Sequence, residues 1–163
     1  MTPSANRVAS MWLAASEADL ALPEAEVKYI GAFLGASSWR RVVKWFAAQS
    51  GERLLPTLPR APHLTIKFAP TDAEVLRAPL GSKLDMQVVS WASDEYGQAV
   101  GVVVGSGVRV AAPIPHITIA NASGTKAVYS NKLMAMLRAS DPTVRGERVR
   151  GPKLSGAIQV VYK

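Results

Sequence analysis

Residues 62–66 read Pro-His-Leu-Thr-Ile and residues 115–119 read Pro-His-Ile-Thr-Ile. The chain has two histidines in 163 residues, and both occupy the second place of this phrase. Successive side chains of a β-strand point to opposite faces. His63 therefore shares a face with Thr65, and His116 with Thr118, while Leu64, Ile66, Ile117 and Ile119 point the other way and can anchor each strand in a core. A single His-x-Thr is more often a histidine and threonine satisfying one another in a half-buried strand. Two copies, each after a proline-containing loop and together using every histidine of the chain, make coincidence the weaker explanation.

Working outward, hydrophobic period and turn residues place the two phrases among short mixed elements. Residues 27–34, "VKYIGAFL", are rich in β-formers and read as a strand, and Ser37 or Ser38 can cap a helix over 39–49. That helix puts Val42, Val43, Phe46 and Ala47 on one side and Arg40, Arg41 and Lys44 largely on another. The proline-rich loop "LLPTLPRAP" leads into a strand over 63–68. A short helix over 71–78 is begun by Thr71 and Asp72, and "KLDMQVVSWA" (83–92) and "QAVGVVVG" (98–105) form a hairpin around "SDEYG". "HITIA" (116–120) is a strand, Ser130 caps a helix running to residue 139 with Leu133, Met134 and Leu137 inward, and "LSGAIQVVY" (154–162) is the last strand. This order predicts an α+β domain rather than a regular parallel repeat.

Composition narrows the classes. A chain of 17.4 kDa is near the commonest domain size and long enough to bury a proper core. The absence of cysteine excludes disulfides and thiolate metal sites and fits a reducing compartment, so a cytoplasmic protein is expected. The apolar stripe Val8, Met11, Trp12, Ala15 is interrupted by Glu17 and Asp19 and is too short and polar for a signal peptide or membrane span. Residues 1–26 are thus expected to be an acidic N-terminal extension of helical pattern, and residues 27–163 the functional domain. The net charge of +7 is segregated along the chain. Residues 1–26 carry one base against four acids, residues 27–71 seven against one, and residues 72–95 two against five. Residues 96–140 carry four bases and no acid, and residues 141–163 five against two. Both histidines lie in positive blocks, which favours an anionic ligand.

Two His-Thr pairs suit one kind of chemistry. Imidazole titrates near neutrality, so of two histidines flanking a centre one can accept a proton while the other donates one. In-line displacement at phosphorus needs those roles on opposite sides, and threonine hydroxyls can hold the non-bridging oxygens between them. The scheme requires no metal and no cofactor. A two-metal phosphodiesterase would need a cluster of carboxylates or histidines, and the acid nearest the motifs in sequence is Asp72.

These residues carry a resemblance. The paired His-x-Thr phrases, with "VKYIGAFL", "PHLTIKFAP", "QAVGVVV" and "PHITIANASGTKAVYSNKL", resemble the two-histidine phosphoesterase superfamily. Within it they look most like the cyclic phosphodiesterase domains of fungal and plant tRNA ligases and their stand-alone relatives, from about Val27 onward. The resemblance implies a two-lobed, pseudo-symmetric fold of mainly antiparallel sheets flanked by helices, with one His-x-Thr strand per lobe lining a central cleft. It implies that His63, Thr65, His116 and Thr118 are the catalytic four, and that 2′,3′-cyclic phosphate ends of RNA are hydrolysed to 2′-phosphate without metal. Other members act on 2′,5′-linked or cyclic oligonucleotides, so a signalling or phage immune-evasion substrate is the alternative, and a non-catalytic RNA-binding module the third reading. Lys67, Arg60 and Tyr129 are secondary candidates for contacting substrate. Neither a membrane nor an obligatory protein partner is expected, and the chain should act as a monomer.

Overall fold

The computed structural model describes residues 26–105 and 107–163. The expected N-terminal extension therefore lies, apart from Glu26, outside the described residues. Among the described residues seven strands and three helices follow in an α+β order: β1 (Val27–Leu34), α1 (Ala36–Ser50), β2 (His63–Phe68), α2 (Asp72–Arg77), β3 (Lys83–Ser93), β4 (Gly97–Val104), β5 (His116–Asn121), α3 (Tyr129–Arg138), β6 (Arg145–Arg148) and β7 (Lys153–Tyr162). No described helix is long and apolar enough to cross a membrane.

Every strand pairing is antiparallel, and six strands close on themselves in the order β3, β4, β5, β2, β1, β7 and back to β3. Closure depends on the length of β3. Its first half, Lys83–Gln87, pairs with β7, and its last four residues, Ser90–Ser93, pair with β6, while β4 runs along its other edge. The narrowest seam is β2–β5, joined by the single pair Leu64↔Ile117.

Alternation along each strand puts the apolar residues on one face. Ile30, Ala32, Leu64, Ile66, Leu84, Met86, Val88, Val100, Val102, Ile117, Ile119, Leu154 and Ile158 are all buried and form one continuous core. Helix α1 adds Val42 and Phe46 to that core, where the Phe46 ring meets Trp91 edge-on at 5.9 Å. Helix α3 packs on the other sheet face, setting Leu133 and Met134 against Ala92 and Ala99. Gly101 permits that approach, since a β-carbon there would stand 3.0 Å from Met134 Cε.

Two of the three expected helix starts are corrected and one holds. Helix α1 begins earlier than expected, with Gly35 in extended conformation at its N-cap. Neither Ser37 nor Ser38 caps it, because Ser38 is buried inside the helix and its hydroxyl accepts the Ser155 N–H of β7 at 3.0 Å. Helix α3 likewise starts at Tyr129, so Ser130 is an interior residue of its first turn rather than a cap. Thr71 does cap α2, accepting the Glu74 N–H at 3.2 Å while the Glu74 carboxylate accepts the Thr71 N–H at 2.8 Å.

Candidate active site

The two matched phrases become neighbouring strands. Because Leu64 stands opposite Ile117 in an antiparallel pair, the same register carries His63 opposite Thr118 and Thr65 opposite His116. The anchors behave as their alternation requires: Leu64, Ile66, Ile117 and Ile119 are buried, whereas His63, Thr65, His116 and Thr118 are half-buried on the reverse face. One exposed-side surface of two adjoining strands thus holds two imidazoles and two hydroxyls in a diagonal arrangement.

The prolines explain the aim of both imidazoles. His63 Nδ1 lies 2.8 Å from the Ala61 carbonyl oxygen, and His116 Nδ1 lies 2.8 Å from the Ile114 carbonyl oxygen. In each case the acceptor belongs to the residue before the proline. Proline fixes its own φ and confines its predecessor to extended conformations, so that carbonyl has little freedom. A carbonyl can only accept, so Nδ1 carries the proton and Nε2 is left as the outward, titrating nitrogen. Burial lowers the pKa of both histidines below the ordinary 6.5. Their carbonyl bonds oppose that shift, and for His63 the charge of His116 reinforces it. The two imidazoles therefore sense one another, and a charge on one disfavours a charge on the other.

The surroundings of the two pairs differ. Tyr29 stacks on His63 with ring centroids 4.8 Å apart and 17° between planes, and Phe33 lies against it at 4.9 Å. Both aromatics come from β1, whose Phe33 is paired with His63 and whose Gly31 is paired with Thr65. On the other side, Thr118 Oγ1 and Ser130 Oγ share a hydrogen bond of 2.7 Å, and Ser130 is wholly buried at the start of α3. Helix α3 thereby fixes the Thr118 rotamer. None of Tyr29, Phe33 and Ser130 was picked out by sequence reasoning as touching the motifs. Residues 29, 31 and 33 do alternate onto one face, but nothing local says that this face belongs to a neighbour of β2.

The secondary candidates separate. Lys67 does not share the Thr65 face: a register shift in the β1–β2 pairing sets it opposite Ile30, and its ammonium stands 3.7 Å from the Glu74 carboxylate. Arg60 is exposed in the loop three residues before His63. The Tyr129 hydroxyl donates to Asp94, and burial with that carboxylate pushes its pKa far above the usual tyrosine range. Tyr129 therefore faces the β3–β4 turn, where Asp94 also accepts the Tyr96 and Gly97 N–H groups at 2.9 and 3.0 Å. Trp91 belongs to the core and Tyr96 is half exposed, edge-on to Tyr129 at 5.7 Å.

No protein-family model matches the sequence, and no curated protein sequence is similar to it. The fold is similar to that in a crystal structure of a fungal RNA kinase, with a TM-score of 0.60 and 14% sequence identity. The match covers 89% of this chain and 48% of the kinase chain, so the present chain spans about half the length of that relative.

Proposed function

We propose that this protein is a metal-independent phosphodiesterase whose substrate is an RNA end bearing a 2′,3′-cyclic phosphate. The observation that carries the reading is the matched pair of imidazoles: on adjoining strands, each gives Nδ1–H to the carbonyl before its proline and turns Nε2 outward on the threonine-bearing face. On this reading the ring of strands divides into two halves that share β3. One holds β2, β1, β7 and the start of β3, the other β5, β4, β6 and its end, and each half brings one His-x-Thr strand to the seam. The resemblance of the motifs to tRNA-ligase phosphodiesterase domains, and the fold likeness to an RNA kinase, support seeking the substrate among RNA ends.

The reaction follows from the two protonation states. A neutral imidazole accepts a proton at Nε2 from water as the water oxygen forms its bond to phosphorus. The bond from phosphorus to the ribose 3′ oxygen breaks, and the second imidazole, protonated beforehand, gives its Nε2 proton to that oxygen. The products are a 2′-phosphate and a free 3′-hydroxyl. Thr65 and Thr118 donate to the non-bridging oxygens, where negative charge is held in the transition state. A monoanionic substrate phosphate also offsets the depressed pKa values, since an anion near an imidazole favours its charged form.

A substrate panel run in EDTA tests the proposal, with an RNA 2′,3′-cyclic phosphate, a 2′,5′-oligoadenylate and a cyclic dinucleotide as its members. Conversion of the first to 2′-phosphate is expected. Preference for the cyclic dinucleotide or the 2′,5′-linkage would replace the substrate while keeping the chemistry, and no turnover of any member would overturn both.

A further inference from the structure

Helix α1 and the chain from β6 into β7 carry exposed cations that the proposed chemistry does not use. Arg40, Arg41 and Lys44 lie on the solvent side of α1, and Arg150 and Lys153 lie on the β6–β7 segment, all five exposed; Arg148, opposite Ser90, is turned to the α3 side. The two segments are packed together. Arg41 Nη1 donates to the Lys153 carbonyl at 2.6 Å, Ser38 Oγ accepts the Ser155 N–H at 3.0 Å, and a β-carbon on Gly151 would stand 2.9 Å from the Trp45 ring. Neither Ala36–Ser50 nor 148–153 contains a carboxylate. Among the described residues none of the five forms an ion pair. Of the acids near these segments, Asp85 pairs with Lys83 and Glu52 with Arg145, while Glu147, opposite Trp91 in the β3–β6 pairing, lies on the α1 side of β6.

We infer that this surface docks the phosphate backbone of an RNA strand longer than the end held at the histidines. Three of the five cations are arginines, whose planar fork matches phosphate oxygens. The large exposed hydrophobic residues lie in neither segment, so the patch lacks the apolar anchor that membrane-surface binding needs. The choice of RNA rests on the function proposed above; the polyanion surface itself does not.

The test compares wild type with Arg40→Gln/Lys44→Gln/Arg150→Gln, which leaves the Arg41 strut in place. Binding of a fluorescein-labelled 20-nucleotide RNA with a plain 3′-hydroxyl is read by anisotropy across a KCl series, so the result does not depend on catalysis. Loss of three phosphate contacts lowers the slope of log affinity against log salt by about 2. Affinity at 100 mM KCl should fall at least tenfold, with turnover of a 2′,3′-cyclic mononucleotide unchanged. Should the triple variant fail to fold, each single substitution is expected to lower the slope by about 0.7. Unchanged RNA affinity and slope would overturn the inference, as would an equal loss of mononucleotide turnover. Binding to phosphatidylserine vesicles that depends on these residues, without RNA binding, would assign the patch to a membrane and overturn it too. If RNA binding follows the prediction while wild type hydrolyses no cyclic phosphate, the proposed function fails and the docking surface stands.

Discussion

Ser130→Ala separates positioning from packing at the proposed site. The hydroxyl is wholly buried and its recorded partner is Thr118 Oγ1 at 2.7 Å. For Thr118 to give its proton to a phosphate oxygen, Ser130 must give its own to Thr118. A neutral hydrogen bond contributes about 0.5–1.5 kcal/mol. If that is felt mainly when Thr118 must hold a fixed rotamer against the transition state, kcat/KM falls about 2- to 12-fold. Stability should move less. Alanine is a better helix former than serine by about 0.5 kcal/mol, which offsets part of the lost bond. The residual fraction of a kcal/mol shifts Tm by about 1–2 °C in a chain of this size. Initial rates on a cyclic-phosphate RNA and a melting curve measure both. The sharper assay is the cycle with Thr118→Val, in which Ser130→Ala should have no further effect on kcat/KM. Fully additive losses, or a Ser130→Ala enzyme with wild-type kcat/KM, would refute the idea that α3 orients Thr118.

The remaining predictions concern the imidazoles and their supports. Because burial lowers both histidine pKa values below 6.5, the free enzyme with one neutral and one charged imidazole is most abundant on the acid side of pH 6.5. A pH profile of kcat/KM should peak there and fall about tenfold per unit on its alkaline limb; a maximum above pH 7.5 would contradict it. The same shifts give a stability sign: the unfolded chain binds more protons between the lowered values and 6.5, so stability is fully present above 6.5 and declines as pH falls through that window. Urea midpoints measured at pH 5.5 and 7.5 check this. Phe33→Ala uncovers one side of His63 and should raise its pKa toward 6.5, read from its ring proton by NMR titration; an unmoved titration would show that the ring does not cause the shift. Gly101→Ala, beside His116 on β4, places a β-carbon 2.3 Å from Ser90 Oγ. Overpacking of this kind costs about 1–3 kcal/mol, or about 2–4 °C of Tm per kcal/mol. Adding Ser90→Ala should restore most of it, since Ser90 Cβ would be 3.6 Å away.

Where burial imposes a period on the chain, the elements were legible from sequence. Strand Val27–Leu34 is found at its expected bounds, and β2, β3, β4, β5 and β7 lie within a residue of theirs, because each sets an apolar face into the core. Strand β6 was missed. Its four residues, Arg-Gly-Glu-Arg, are all exposed and have no apolar alternation, and only pairing with the end of β3 makes them a strand. The serines failed as caps for a related reason: Ser38 and Ser130 look local, but their hydroxyls are used across the fold, by Ser155 and Thr118. The site divides the same way. The alternation of His63 with Thr65 and of His116 with Thr118 follows from strand geometry, and the proline before each histidine foreshadows the carbonyl that aims it. That β2 and β5 adjoin, and that Tyr29 and Phe33 cover only one of the two imidazoles, depends on closure of the ring, which no local pattern encodes.

The central claim is that two imidazoles act as one acid–base unit. Its most direct test is kcat/KM for a 2′,3′-cyclic-phosphate RNA in EDTA with His63→Ala, His116→Ala and the double variant, all checked for folding. Loss of a general acid or base costs about 10²- to 10⁴-fold, so each single variant should fall by that order. The double variant should fall little further, because groups that act as a unit are not additive. Wild-type turnover in either single variant would contradict the account.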